Sequence, residues 1–210
     1  RYLQNGLAGF HDYEVLELVL SFAQVRRDTK PIAKRLIDRF GSLTAVITAP
    51  AQQLMEVEGV GERSAVFLKL FRDVGEFHMR EKILGVDVLA GGDDVRDYLM
   101  RTAKGKLHEE FRVLYLNTQN IVIDEESVSQ GTVTQTKVYV GQICEHALIR
   151  HAARVIVAHN HPGGSLKPSD NDILLTHRLA KALQLIDIQL LDHLIVTGEG
   201  YYSFAGDNKL

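Results

Sequence analysis

Two histidines one residue apart, His159 and His161, follow the apolar run Arg154-Val155-Ile156-Val157-Ala158, and Asp172 comes after a loop containing Gly163-Gly164 and Pro168. Side chains of an extended strand alternate with period two, so both imidazoles face the same way. A turn at Ser169-Asp170-Asn171, where a helix is expected to begin, brings Asp172 back toward them. Two imidazoles and a carboxylate, with the fourth tetrahedral position left to water, form a catalytic zinc set rather than a closed structural one. Each fragment alone has a plainer reading. Histidines at strand ends are often merely solvated, and Ser169 followed three residues later by Asp172 has the spacing of a helix capping box. The joint spacing is what points to metal.

The segments that must position these residues alternate. Runs of β type at Phe111 to Leu116, Asn120 to Ile123, Gly131 to Val140, Arg154 to Ala158 and His193 to Thr197 are interleaved with helical patterns. Those helices are expected near Asp93 to Met100, Gly141 to His151 and Ser169 to Leu185, which together give an α/β layered domain over 88–210. From Asp12 to about Met79, apolar residues recur at helical spacing, as in Val15, Leu16, Val19 and Phe22 and again in Ile32, Leu36 and Phe40. This predicts a small all-α domain over 1–80, with the boundary near residues 79 to 88. Pro31 suits a first helical turn, Gly41 a helix stop and Ser42 the cap of the next helix.

Composition narrows the function classes. The 210 residues carry 24 basic and 27 acidic side chains, a formal charge of -3, so no global positive field draws the chain to nucleic acid or anionic membrane. Any DNA contact must be local. Cys144 is the only cysteine, which excludes a disulfide framework and a cysteine-rich zinc ribbon and suits a reducing cytoplasm. It also excludes a zinc nucleobase deaminase, whose ligand set needs a Pro-Cys-x-x-Cys segment. No stretch approaches the roughly 18 consecutive apolar residues of a membrane helix. The start Arg1-Tyr2-Leu3-Gln4-Asn5 does not read as a signal peptide, and a cytoplasmic location is expected.

His159-x-His161, seven residues, Ser169, two residues, Asp172 resembles the JAMM motif of MPN-type metalloproteases. With Gly131-Thr132-Val133, Ala158-His159-Asn160-His161-Pro162 and Leu191-Asp192-His193-Leu194-Ile195-Val196, nearly the whole chain resembles the bacterial RadC family, historically named for DNA repair. The resemblance implies a JAB1/MPN-type (cytidine-deaminase-like) domain and a zinc-dependent hydrolase acting on an amide or isopeptide bond. It implies zinc on His159, His161 and Asp172, a glutamate general base and a serine that helps hold the oxyanion. These last roles fall on Glu126 and Ser169. Asp124, Glu125 and Glu126 are three adjacent carboxylates, and period two turns Glu125 away from its neighbours. A solvated acidic strand end fits Asp124 and Glu125. His146, His151, His177 and His193 lie outside the motif spacing and read as surface or core residues, His193 as structural beside Asp192.

Leu54 to Ala65, with Gly59-Val60-Gly61, resembles a helix-hairpin-helix motif. Glycines permit a tight turn whose N–H groups, with the start of the next helix, can hold a DNA phosphate without reading bases. Gly59, Gly61 and Arg63 are the candidate contacts, with Lys69, Arg26 and Arg27 adding charge. Glu56, Glu58 and Glu62 oppose this, and such hairpins also serve as packing elements. Three functions therefore compete: a metallopeptidase-like hydrolase acting on a peptide or protein, a DNA-associated module with structural zinc, and a metal-dependent nuclease.

Overall fold

The computed structural model describes residues 1–103, 106, 108–128, 130–132, 135–137 and 140–210, so Val133 of the Gly-Thr-Val segment lies outside the described residues. The chain divides into two compact units, Arg1–Phe77 and His78–Leu210.

The first unit is helical: α1 (Tyr2–Asn5), α2 (Asp12–Ala23), α3 (Lys30–Phe40), α4 (Leu43–Thr48), α5 (Ala51–Met55) and α6 (Glu62–Ile83), whose last turns belong to the second unit. Local chemistry sets the ends. Glu14 accepts from the His11 N–H at 2.8 Å at the start of α2, and Pro31 sits in the first turn of α3. Gly41 closes α3 at φ 87, and the Ser42 hydroxyl caps α4 by accepting from Ala45 N–H at 3.1 Å. Leu16, Leu20, Ile32, Leu36, Val46, Leu54 and Leu68 are fully or almost fully buried together. Each such side chain contributes about 1.5–3 kcal/mol relative to exposure, which is what holds such short helices in place.

In the second unit, α7 (Gly92–Ala103) precedes β1 (Phe111–Leu116) and β2 (Val122–Ser127), then the short pair β3 (Gln130–Thr132) and β4 (Gln135–Lys137). There follow α8 (Val140–Ile149), β5 (Arg154–Asn160), α9 (Asp170–Gln184), β6 (Gln189–Val196) and β7 (Tyr201–Ser203). The main sheet has the order β2-β1-β5-β6-β7, with β5 and β6 parallel and the other neighbours antiparallel. One face, with Phe111, Val113, Tyr115, Val155 and Val157, packs on Ile143 and Ala147 of α8 and Leu179 and Leu183 of α9. The other, with Leu114, Leu116, Ile156, Ala158 and Leu194, packs on Ile83 and on Val95, Tyr98 and Leu99 of α7. A central strand covered on both sides must be apolar throughout, which explains the unbroken run in β5.

The expected elements differ from the observed ones mainly around β2. Its strand runs through Ser127 because the three carboxylates that argue against a strand are each paired with cations there. The described residues of the run expected from Gly131 to Val140 belong to the short strands β3 and β4 and to the start of α8, and β7 carries no signal strong enough to have been expected.

Candidate metal centre

His159 and His161 emerge where β5 ends, and the capped first turn of α9 supplies Asp172. One ligand atom from each lies within 4.8 Å of the others. The two Nε2 atoms are 2.9 Å apart, and Asp172 Oδ1 lies 3.2 Å from His159 Nε2 while Oδ2 lies 3.5 Å from that of His161. The capping box and the ligand set are one structure. Ser169 donates from its backbone N–H and its hydroxyl to Asp172 Oδ2, each at 2.7 Å, and the hydroxyl accepts from Asp172 N–H at 3.2 Å. The helix cap thus fixes the carboxylate in front of the imidazoles.

The far nitrogens of the two rings decide which atoms carry protons. His161 Nδ1 is 2.8 Å from the Ser165 carbonyl, which only accepts, so Nδ1 is protonated and Nε2 of the neutral ring is a bare lone pair. For His159 the chain of inference is longer. Thr176 donates its single hydroxyl proton to the Asp172 carbonyl at 2.6 Å, so the Thr176 Oγ1 can only accept from His193 Nδ1, which lies 2.6 Å from it. Burial pushes the His193 pKa down to about 3 and keeps the ring neutral. Its Nε2 then accepts from His159 Nδ1 at 2.8 Å, which leaves His159 Nε2 as a second lone pair.

Two lone pairs and a carboxylate converging within hydrogen-bond distance repel one another unless a cation sits among them. The donors, two imidazole nitrogens and a carboxylate oxygen, fit zinc and leave a ligand position open. The hydrogen bond to Asp172 raises the His161 pKa against the effect of burial, and the Ser165 carbonyl and the charges of Asp172 and Glu109 raise it further. Burial favours the neutral acid of Asp172, but hydrogen bonds with His159, His161 and Ser169 outweigh it and hold the carboxyl below its ordinary range.

Glu126, the expected base, is committed elsewhere. Its Oε1 accepts from the Tyr115 hydroxyl and contacts His146 Nδ1 at 2.6 Å, and its Oε2 takes the Arg150 guanidinium at 3.0 Å. It lies beside Val113 in the β1–β2 register, whereas His159 lies beside Phe111 in the β1–β5 register. Asp124 bridges Arg80 and Arg150, and Glu125 is buried on the opposite face with Arg112, so neither is a solvated strand end. Burial raises the Tyr115 pKa, with the hydrogen bond to Glu126 adding to it, so this hydroxyl stays protonated.

Another carboxylate, Glu109, acts on His161, whose pKa its charge raises. Phe111 pairs with His159, so continuing the antiparallel register two residues past the strand sets Glu109 across from His161, on the same face as both imidazoles. Asn160 clamps this extension: its side chain accepts from Glu110 N–H at 2.7 Å and donates to the His108 carbonyl at 3.0 Å. Period two makes Glu110 face the other way, toward its ion pairs with Lys106 and Arg112. The sequence signal that could have found Glu109 is an acidic residue two positions ahead of the first buried strand.

His193 was expected to be structural beside Asp192. It is instead the fully buried partner that orients His159, while the Asp192 carboxylate accepts from Ser203 Oγ and from the N–H groups of His193 and Ala205. In the helical unit, Gly59 has φ +92, and a Cβ there would lie 3.0 Å from two Ile32 side-chain atoms, so this glycine is required by packing. Gly61 and Arg63 are exposed, with open space where a Gly61 Cβ would lie. The Lys69 ammonium is turned to the carbonyls of Ile47, Thr48 and Ala49, and burial lowers its pKa.

Residues 89–209 match the RadC-like JAB domain family. The chain is 37% identical over 210 residues to a UPF0758 protein of Ruegeria pomeroyi, covering all of this chain and 94% of that one. The chain belongs to the RadC family. A UPF0758 protein of Cupriavidus necator is 37% identical over 203 residues, 97% of this chain and 89% of its own, and one of Fusobacterium nucleatum is 35% identical with 100% and 94% covered. At the level of the family, the RadC-like JAB domain is of the JAMM-like, metal-dependent hydrolase type, and the His159–His161–Asp172 cluster suits it. No helix among the described residues is long and apolar enough to cross a membrane.

Proposed function

We propose that this RadC-family chain hydrolyses an amide or isopeptide bond, with zinc held by His159, His161 and Asp172 and with Glu109, rather than Glu126, as general base. The observation that supports it most directly is the convergence of both Nε2 atoms and the Asp172 carboxylate, with the Nδ1 atom of each ring engaged by a partner of its own. Bound there, zinc supplies Lewis acidity and lowers the pKa of water toward 7. The remaining work falls to the chain. Glu109 takes the proton of the attacking water and returns it to the leaving nitrogen. Ser169 already gives its hydroxyl proton to Asp172, so its first task is to hold that ligand, and an oxyanion contact requires the hydroxyl to turn away. His193 keeps His159 in the tautomer that ligation needs. A further carboxylate beside the donor set disfavours a phosphodiester polyanion and favours a neutral amide, and the lone Cys144 suits a reducing cytoplasm.

Metal analysis of the purified full chain should give about one zinc per chain. In a screen of peptide, isopeptide-linked and duplex DNA substrates, cleavage should appear with an amide substrate and stop on chelation. Protein that takes up no zinc on reconstitution, or that cleaves only DNA, would overturn the assignment.

DNA contact through Gly59, Gly61 and Arg63 is a second role, favoured by the exposure of Gly61 and Arg63 at the start of α6. It calls for modest, sequence-independent affinity that falls steeply with salt. Because Gly61 has room for a side chain, Gly61→Glu should remove this binding with the fold intact, and unchanged binding would mean that the hairpin only packs.

A further inference from the structure

Helix α6 is apolar on two opposite sides. One side buries Ala65 and Leu68 in the helical core and carries the Arg72–Glu76 ion pair. The other side carries Phe67, Leu70, Val74 and Phe77 at steps of three, four and three, the a/d pattern of a coiled-coil seam. Leu70, Val74 and Phe77 are 53%, 59% and 59% exposed, and Val66 and Phe71 flank them at 56% and 53%. Together they leave on the order of 500 Å² of apolar surface, near the top of what an ordinary monomer exposes in one patch.

The same seam continues into charge at both ends, with Arg63 one step before Phe67 and Glu81 one step after Phe77. Glu62, Arg63, Glu81 and Lys82 are exposed and have no ion-pair partner among the described residues. Laid antiparallel on a second α6 with Leu70 facing Val74, the stripe is its own complement. Phe67 then meets Phe77, Arg63 meets Glu81 and Glu62 meets Lys82, each twice by two-fold symmetry. A parallel pair would instead set Arg63 on Arg63 and Glu81 on Glu81. Mixed charge at each end also gives an anionic lipid surface nothing to hold.

We propose that α6 is a homodimer interface, pairing antiparallel with α6 of a second copy of this chain through Phe67, Leu70, Val74 and Phe77. Sedimentation of the full chain over a range of concentrations should show a reversible monomer–dimer equilibrium. Leu70→Glu with Val74→Glu should leave a monomer of unchanged helicity. Arg63→Glu alone and Glu81→Arg alone should each weaken the dimer by about tenfold, because each variant makes two like-charge contacts. Mixing these two variants should give a heterodimer, and the chain carrying both changes should dimerise like the parent. This rescue decides the matter even if the Leu70 and Val74 variant fails to fold. A chain that stays monomeric at high concentration, a dimer indifferent to Leu70 and Val74, or charge reversals without rescue would overturn the proposal.

Discussion

His161→Ala is expected to abolish zinc uptake and, with it, all chelator-sensitive hydrolysis. The residue is the cleanest of the three ligands to remove, since its Nδ1 gives up only the carbonyl of the exposed Ser165, whereas loss of His159 would strand the buried His193. A ligand that binds only the folded state stabilises it, by about 2.7 kcal/mol at a hundred times its Kd. For a protein of this size that raises the melting transition by roughly 5–10 °C. The parent should therefore melt higher with zinc than with chelator, and His161→Ala should melt alike in both. Without metal the variant should be somewhat less stable than the parent at low pH, because it loses the hydrogen bond to Asp172 that raises the His161 pKa, and this deficit should fade as pH rises through that pKa. Uptake must displace the proton that Asp172 and Glu109 favour on His161, so zinc retention weakens as pH falls through that raised pKa. A zinc-dependent melting shift that survives in His161→Ala would reject the ligand set.

What could be read from the sequence followed the range of the interactions. His159 and His161 share a strand and Asp172 sits in the turn of the next helix, so a period-two rule and a capping pattern suffice to place them together. The α2 and α3 helices announce themselves through apolar spacing and through Pro31, Gly41 and Ser42, which act on their immediate neighbours. His193 is different. Its role depends on the parallel pairing of β5 with β6, which sets it 34 residues away from His159, and no local pattern reports which strands are neighbours. The same holds for β2: three consecutive carboxylates look solvated until Arg80 of α6, Arg112 of β1 and Arg150, just past α8, arrive.

The base is where this difference has the largest consequence. Glu109 and His161 are brought together by the β1–β5 register and the Asn160 clamp, contacts that span some fifty residues. Glu109→Gln is expected to keep zinc bound while lowering turnover about a hundred- to ten-thousand-fold, since the amide nearly preserves shape but cannot accept a proton. Glu126→Gln should leave turnover within a few-fold of the parent. Its main effect should be a lower melting temperature, because replacing Glu126 weakens its contact with Arg150 and disturbs those with Tyr115 and His146. Measuring zinc content, turnover and melting on both variants separates the roles. If Glu126→Gln is the inactive, zinc-loaded variant and Glu109→Gln turns over normally, the base arrives from β2 and the register argument fails. If Glu109→Gln loses its metal as well as its activity, Glu109 is a fourth ligand, the position left to water is closed, and the centre is a structural one.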